Sequence, residues 1–165
     1  MSQDKTTLVL GCGNRPIAGA MNHDVRDHAD FVDVAFNLDE TPWPLADLRF
    51  KRIVALDVFE HLKIDVVEWL TECWKILETG GELVLRVSAW DNPVSYRDPT
   101  HHRFFHEETF FYFDPRHTLY QEYGRVYFGD TCPLFEVVRV ERGNADHRWP
   151  DKGDICAVLR KVERS

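Results

Sequence analysis

The hydrophobic positions fall into short runs separated by turn residues. Residues 6–10, Thr-Thr-Leu-Val-Leu, form a β-branched and aliphatic run that ends at Gly11. That is the pattern of a buried parallel strand. The same reading predicts a second short strand over residues 20–24, a third around 31–38 and a fourth over 52–56. Thr41-Pro42-Trp43-Pro44 must be irregular, because prolines disrupt both ladders and helices. Val66, Val67, Leu70, Cys73, Trp74 and Leu77 recur at helical spacing and predict an amphipathic helix over residues 64–78. Gly80-Gly81 reads as the C-terminal stop of that helix, and residues 82–88 as a fifth strand.

Beyond residue 88 the period is lost. Residues 89–114 are rich in aromatics and histidine and read as a loop with a short helix near 107–112. Residues 135–141 and 155–162 read as two last strands, an antiparallel pair joined by a polar loop. Strands alternating with crossovers imply an α/β fold with a mostly parallel sheet and ligands bound at the carboxyl ends of its strands. A chain of 165 residues fits a single domain spanning 1–165.

Composition narrows the function classes. The chain is 44% hydrophobic and 29% charged, as in an ordinary globular protein. No apolar run approaches the roughly 20 residues that span a membrane, and residues 1–5 carry no secretion signal. Cys12, Cys73, Cys132 and Cys156 include no C-x-x-C pair, which argues for reduced thiols and a cytoplasmic location rather than a zinc knuckle or disulfide scaffold. The net charge of −8, with no basic stripe, speaks against wrapping nucleic acid.

The glycine turn Gly11-Cys12-Gly13 lets a backbone approach a ligand closely, although G-x-G also occurs in many plain tight turns. A dinucleotide fingerprint needs G-x-G-x-x-G opening a long helix, and Pro16 stands at the last glycine position with no long amphipathic helix after it. There is no Gly-Lys-Ser/Thr either. The loop therefore favours a ligand without a diphosphate. Asp24, at the end of the second strand, can accept hydrogen bonds from both hydroxyls of a ribose; taken alone it reads as a solvated turn aspartate.

Four segments in order, Leu8-Val9-Leu10-Gly11-Cys12-Gly13, Asn22-His23-Asp24-Val25, Leu56-Asp57-Val58-Phe59-Glu60-His61-Leu62 and Ile76-Leu77-Glu78-Thr79-Gly80-Gly81-Glu82-Leu83, resemble the class I S-adenosylmethionine-dependent methyltransferases. The resemblance is to the small-molecule branch with L-G-C-G and E-H-L motifs, and it covers roughly the first 90 residues. It implies a Rossmann-like methyltransferase fold with S-adenosylmethionine as cofactor. Gly11, Cys12 and Gly13 would line its methionine part, Asp24 would hold the ribose, Asn37 and Leu38 would flank the adenine, and Leu56 and Asp57 would close the pocket beneath the sulfonium. The sequence departs from the pattern at Val9, where an acid is usual, at Arg15, where a third glycine is usual, and in a shortened first crossover.

Methyl transfer is an in-line displacement, and a hydroxyl or amine acceptor also needs its proton removed. His101, His102 and His106 are the catalytic candidates, as base or orienting groups, with Tyr96 and Phe104 shaping a lid. A second arrangement resembles the metal-assisted O-methyltransferases, with Asp57, Glu60, His61 and a later histidine holding a divalent ion. DNA-amino methyltransferases need Asp/Asn-Pro-Pro-Tyr/Phe after the fourth strand to hold a flipped base, and Asp57-Val58-Phe59-Glu60 stands there instead.

The expectation is methyl transfer from S-adenosylmethionine to a small-molecule acceptor, at oxygen, without a resident metal. The metal-assisted O-methyltransferase is the alternative within enzymes, and a noncatalytic cofactor-binding or partner-activating module the alternative outside them. The expected partner is the small molecule, not nucleic acid or a membrane, and a homodimer is compatible.

Overall fold

The computed structural model describes residues 5–143 and 153–164. One seven-stranded sheet runs in the order β3-β2-β1-β4-β5-β7-β6. Its strands are β1 (Thr7–Leu10), β2 (Met21–Asp24), β3 (Val34–Ala35), β4 (Phe50–Leu56), β5 (Leu77–Val87), β6 (Phe135–Arg142) and β7 (Ile155–Lys161). The five N-terminal strands pair in parallel, and β7 lies antiparallel between β5 and β6. The mostly parallel sheet with an antiparallel C-terminal pair is thus as expected. The polar connection between β6 and β7 lies largely outside the described residues, as do residues 1–4. Strand order reverses between β1 and β4, which puts a crevice beyond the carboxyl ends of those two strands.

The helix α1 (Val66–Ile76) supports the sheet. Its apolar stripe, Trp69, Leu70, Cys73 and Ile76, packs with the inward residues Leu8, Leu10, Ile53, Ala55, Leu83 and Leu85 in one core. The opposite sheet face carries only a small cluster of Val9, Cys12 and Ala20, with Phe31 and Val32 against it, and Leu56 is 41% exposed. The first crossover, residues 11–20, is all turns and coil, so the expected shortening is complete. The Asp65 carboxylate caps α1 by accepting from the amides of Val67 at 2.8 Å and Glu68 at 3.4 Å. Asp65→Ala should lower stability by about 1 kcal/mol in urea denaturation, the usual value of such a cap.

Two expectations need correction. Gly80-Gly81 do not stop the helix: α1 ends at Ile76, and both glycines lie within β5. Register jumps there from Phe50↔Leu77 to Arg52↔Glu82, and Gly80, at φ +77°, supplies the left-handed residue of the bulge. The third strand shrinks to Val34–Ala35, because Leu38 leaves the ladder to join the main core beside Trp43. Among the described residues no helix is long and apolar enough to cross a membrane.

The chain after β5 folds back on the rim. After α2 (Pro93–Arg97) it returns so that Phe105 bridges Ala89 in parallel, and the Trp90 amide donates to the Phe105 carbonyl at 2.8 Å. The His102 amide donates to the Glu60 carbonyl at 2.8 Å, and the Arg103 guanidinium donates to the Leu62 carbonyl at 2.9 Å while lying 5.0 Å from the Phe59 ring centre. These ties pin residues 98–103 against the short turn Phe59–His61 that follows β4.

Candidate functional site

Two clefts open at the carboxyl rim. The first, about 470 Å³, is bounded by the glycine turn, Arg15, Leu56, Asp57 and Arg86. The second, about 390 Å³, is lined by Asp57, Glu60, His61, Asp98, His101 and Asp154 among others. Asp57 borders both. It sits at φ +57° and its carboxylate grips the Arg86 guanidinium with two hydrogen bonds, that from Nε at 2.7 Å. Arg86 is buried, so β5 fixes the position of the rim residue of β4.

The glycine turn is lashed to β2. Gly11 donates its amide to Nδ1 of His23 at 3.2 Å, Cys12 to the His23 carbonyl at 2.8 Å, and Gly13 to Oδ2 of Asp24 at 2.8 Å. Because Nε2 of His23 lies 2.9 Å from the Phe36 carbonyl, that nitrogen carries the proton and Nδ1 is free to accept. Burial lowers the His23 pKa and keeps the ring neutral, outweighing the Phe36 carbonyl and the Asp24 charge. Sequence reasoning missed this histidine; its signal was its place beside Asp24 at the end of β2. Gly13 has nothing within 4 Å where a side chain would stand, so its backbone is open to a ligand.

Of the other residues expected at a cofactor, Cys12 is buried, and burial with the Asp24 charge raises its thiol pKa. Asp24 reaches the turn from β2 without lining either cleft; its other oxygen accepts from Val25 at 2.8 Å. Asn37 closes its own turn by accepting from Asp39 at 3.1 Å, and Leu38 is a core residue. Neither lines the two clefts.

The three catalytic candidates part company. His101 lines the second cleft with its side chain only 4% exposed. His102 is exposed. The His106 ring caps the 3-10 turn Glu107–Phe113 by accepting from Glu108 at 3.2 Å and stacks on Trp90. His61 joins His101, with ring centres 4.5 Å apart and planes at 75°.

Of the acidic pair nominated for a metal, Asp57 is held by Arg86, while Glu60 accepts from the Ser88 amide at 3.0 Å through Oε1 and keeps Oε2 buried without a hydrogen-bond partner. Burial pushes the Glu60 carboxyl up to about 7, with the Ser88 hydrogen bond offsetting part of the rise and the Asp57 charge adding to it. Asp98 stands with the two histidines instead: one donor atom from each of His61, Asp98 and His101 lies within 4.8 Å of the others.

No protein-family model matches the sequence, and no curated protein is significantly similar to it. Solved structures do match. The chain is similar to a S-adenosylmethionine-dependent methyltransferase of Archaeoglobus fulgidus (16% identity, TM-score 0.62, covering 95% of this chain and 86% of that one). It is also similar to the Bradyrhizobium japonicum N-methyltransferase NodS in complex with S-adenosylhomocysteine (15%, 0.60, 96% and 79%). A third is the Haloferax volcanii protein solved with the Trm112 methyltransferase activator (15%, 0.60, 96% and 83%). At these identities the likeness shows a shared architecture, and the sheet described above is the Rossmann-like fold of the class I methyltransferases.

Proposed function

We propose that the chain is a single-domain methyltransferase that moves a methyl group from S-adenosylmethionine to an oxygen of a small molecule. The observation that carries this reading is Asp57, the shared border of a cleft at the glycine turn and a cleft lined by histidines. A cofactor held at the first can present its methyl to an acceptor in the second. The residues fit the cofactor: Gly13 leaves the backbone open, and Asp24 offers a carboxylate at the end of β2. Bound S-adenosylmethionine would supply an electrophilic methyl on a sulfonium.

Around it, Gly11, Cys12 and Gly13 bind the methionine end, Asp24 orients the ribose, and Leu56 and Asp57 form the floor, with Asp57 immobilised by Arg86. Asn37 and Leu38, whose side chains close a local turn and join the core, lie outside both clefts and take no part in this reading. The second cleft is of small-molecule size. His101, the expected histidine that this reading retains, faces the acceptor hydroxyl, while His102 and His106 stay outside the chemistry.

Calorimetric titration with S-adenosylmethionine and S-adenosylhomocysteine tests the reading. Micromolar binding that Asp24→Ala weakens by about 1–2 kcal/mol, roughly tenfold, is the expected result. A folded protein that binds neither ligand sinks it. Release of S-adenosylhomocysteine in the presence of an acceptor pool separates an enzyme from a noncatalytic binding module.

A further inference from the structure

We propose that His61, Asp98 and His101 form a binding site for one divalent transition-metal ion, of which Zn²⁺ is the best chemical match. The site stands on the geometry of these side chains and not on the methyl-transfer reading. It also differs from the set the sequence nominated, because the carboxylate comes from the loop after α2 rather than from Asp57 or Glu60.

The ligands are oriented in advance by Thr100. Its hydroxyl donates to Oδ1 of Asp98 at 2.6 Å, which spends its single proton. The contact of the same oxygen with Nδ1 of His61, at 2.8 Å, must then be a hydrogen bond donated by the ring. His61 is thereby fixed as the tautomer whose Nε2 carries a lone pair. The Thr100 amide also donates to Oδ1 of Asp98, at 2.9 Å, so that oxygen is engaged and Oδ2 is left. A ligating histidine that donates its other N–H, and a ligating carboxylate that is itself hydrogen-bonded, are the usual outer shell of a metal site.

An independent sign comes from His101. Its Nδ1 is buried and has no hydrogen-bond partner, and its Nε2 faces Oδ2 of Asp98 at 3.9 Å, beyond hydrogen-bond length. A buried ring nitrogen with no hydrogen bond carries a desolvation cost, which a coordinate bond at Nδ1 would offset. The turn after β4 supplies His61, and the ties from His102 and Arg103 hold the other loop against it.

Two imidazoles and one carboxylate form a mixed nitrogen–oxygen set that suits Zn²⁺ and its neighbours rather than the oxygen-seeking Mg²⁺ or Ca²⁺. Donors on a zinc tetrahedron stand about 3.3 Å apart, given bond lengths near 2.0 Å. Separations of up to 4.8 Å mean the donors draw together by up to about 1.5 Å on binding. Three protein ligands leave a fourth position, and the second cleft is where it opens. An acceptor hydroxyl or water bound there would be acidified by the ion, with His101 as ligand rather than base.

The test uses tag-free protein stripped with EDTA and then titrated with Zn²⁺ by calorimetry and with Co²⁺ by its visible d–d absorption. One equivalent should bind, and His61→Ala, His101→Ala and Asp98→Asn should each weaken binding by at least about 10–100-fold. Thr100→Val, which keeps the shape and removes the tether, should weaken it by about tenfold. His106→Gln, outside the cluster, should bind as the unmodified protein does. Circular dichroism confirms folding of each variant, and Asp98→Asn and Thr100→Val stand in for any alanine variant that fails to fold. No binding by the folded protein, binding of Mg²⁺ in preference to Zn²⁺, or Zn²⁺ binding that survives loss of both histidines overturns the proposal. None of these readouts needs S-adenosylmethionine, so failure of the metal site and failure of the methyltransferase reading are told apart.

Discussion

Gly11→Ala should destabilise the protein by about 2–5 kcal/mol and remove binding of S-adenosylmethionine at the glycine turn, and two effects add to give that figure. Gly11 sits at φ +62°, a left-handed geometry that costs an alanine about 1–2 kcal/mol. An added Cβ would also lie 2.6 Å from Cγ2 of Val58, a side chain packed against the main core. Overpacking of that kind costs about 1–3 kcal/mol. Relief by movement of the turn would pull the Gly11 amide from His23 and the Gly13 amide from Asp24. Urea denaturation and cofactor titration read the two losses. A variant as stable as the parent, with unchanged affinity, would show that the turn is not held as described.

Asp114→Ala should cost about 2–4 kcal/mol at neutral pH, because it strips several hydrogen bonds from one buried carboxylate. Oδ1 accepts from the Arg116 amide and Nε, both at 3.0 Å, and Oδ2 from Arg116 Nη2 at 2.8 Å and the Val137 amide at 2.9 Å. These bonds tie the segment after the Glu107–Phe113 turn to β6. Burial alone would raise the Asp114 pKa, but the Arg116 side chain and the amides of Val137 and Arg116 outweigh it, and the net shift is downward. A lowered folded-state value means the stabilisation is present above the unfolded pKa, near 3.9, and is lost as the pH falls through the folded value. The difference between parent and variant should therefore be largest near neutrality and shrink below about pH 4. A difference that stays constant from neutral to acid pH would mean the carboxylate charge is not what matters.

Much of the sheet was legible in the sequence. β4 and β7 were readable because their apolar runs are local and uninterrupted, and α1 because Val66, Leu70, Cys73 and Trp74 keep helical spacing. β3 was not: its flanking apolar residues, Phe36 and Leu38, serve the core from a loop, which hydrophobicity alone cannot distinguish from a strand. Gly80 misled because left-handed backbone serves a bulge as readily as a helix stop. The glycine turn and Asp24 were legible because they follow consecutive strands. That His61 would meet a later histidine was expected, but the part of Asp98 and Thr100 was hidden, since His61 meets Thr100 across 39 positions. That meeting depends on how the chain after β5 folds back, and residues 98–103 have no period to announce it. Arg86 likewise claims Asp57 from another strand, so the nominated acidic pair could not be judged from its own segment.

The loss of the first crossover helix has an electrostatic consequence. In phosphate-binding α/β proteins the amino end of that helix directs a partial positive charge of about half a proton at the ligand. Here turns replace it, and no aligned peptide dipoles point at Gly11 to Gly13. Near the rim stand Asp24, Asp57, Asp98 and Asp154, with Arg15 and Arg97 beside them and Arg86 bound to Asp57. Without that dipole the glycine turn lacks the fixed positive end that holds a diphosphate in such proteins.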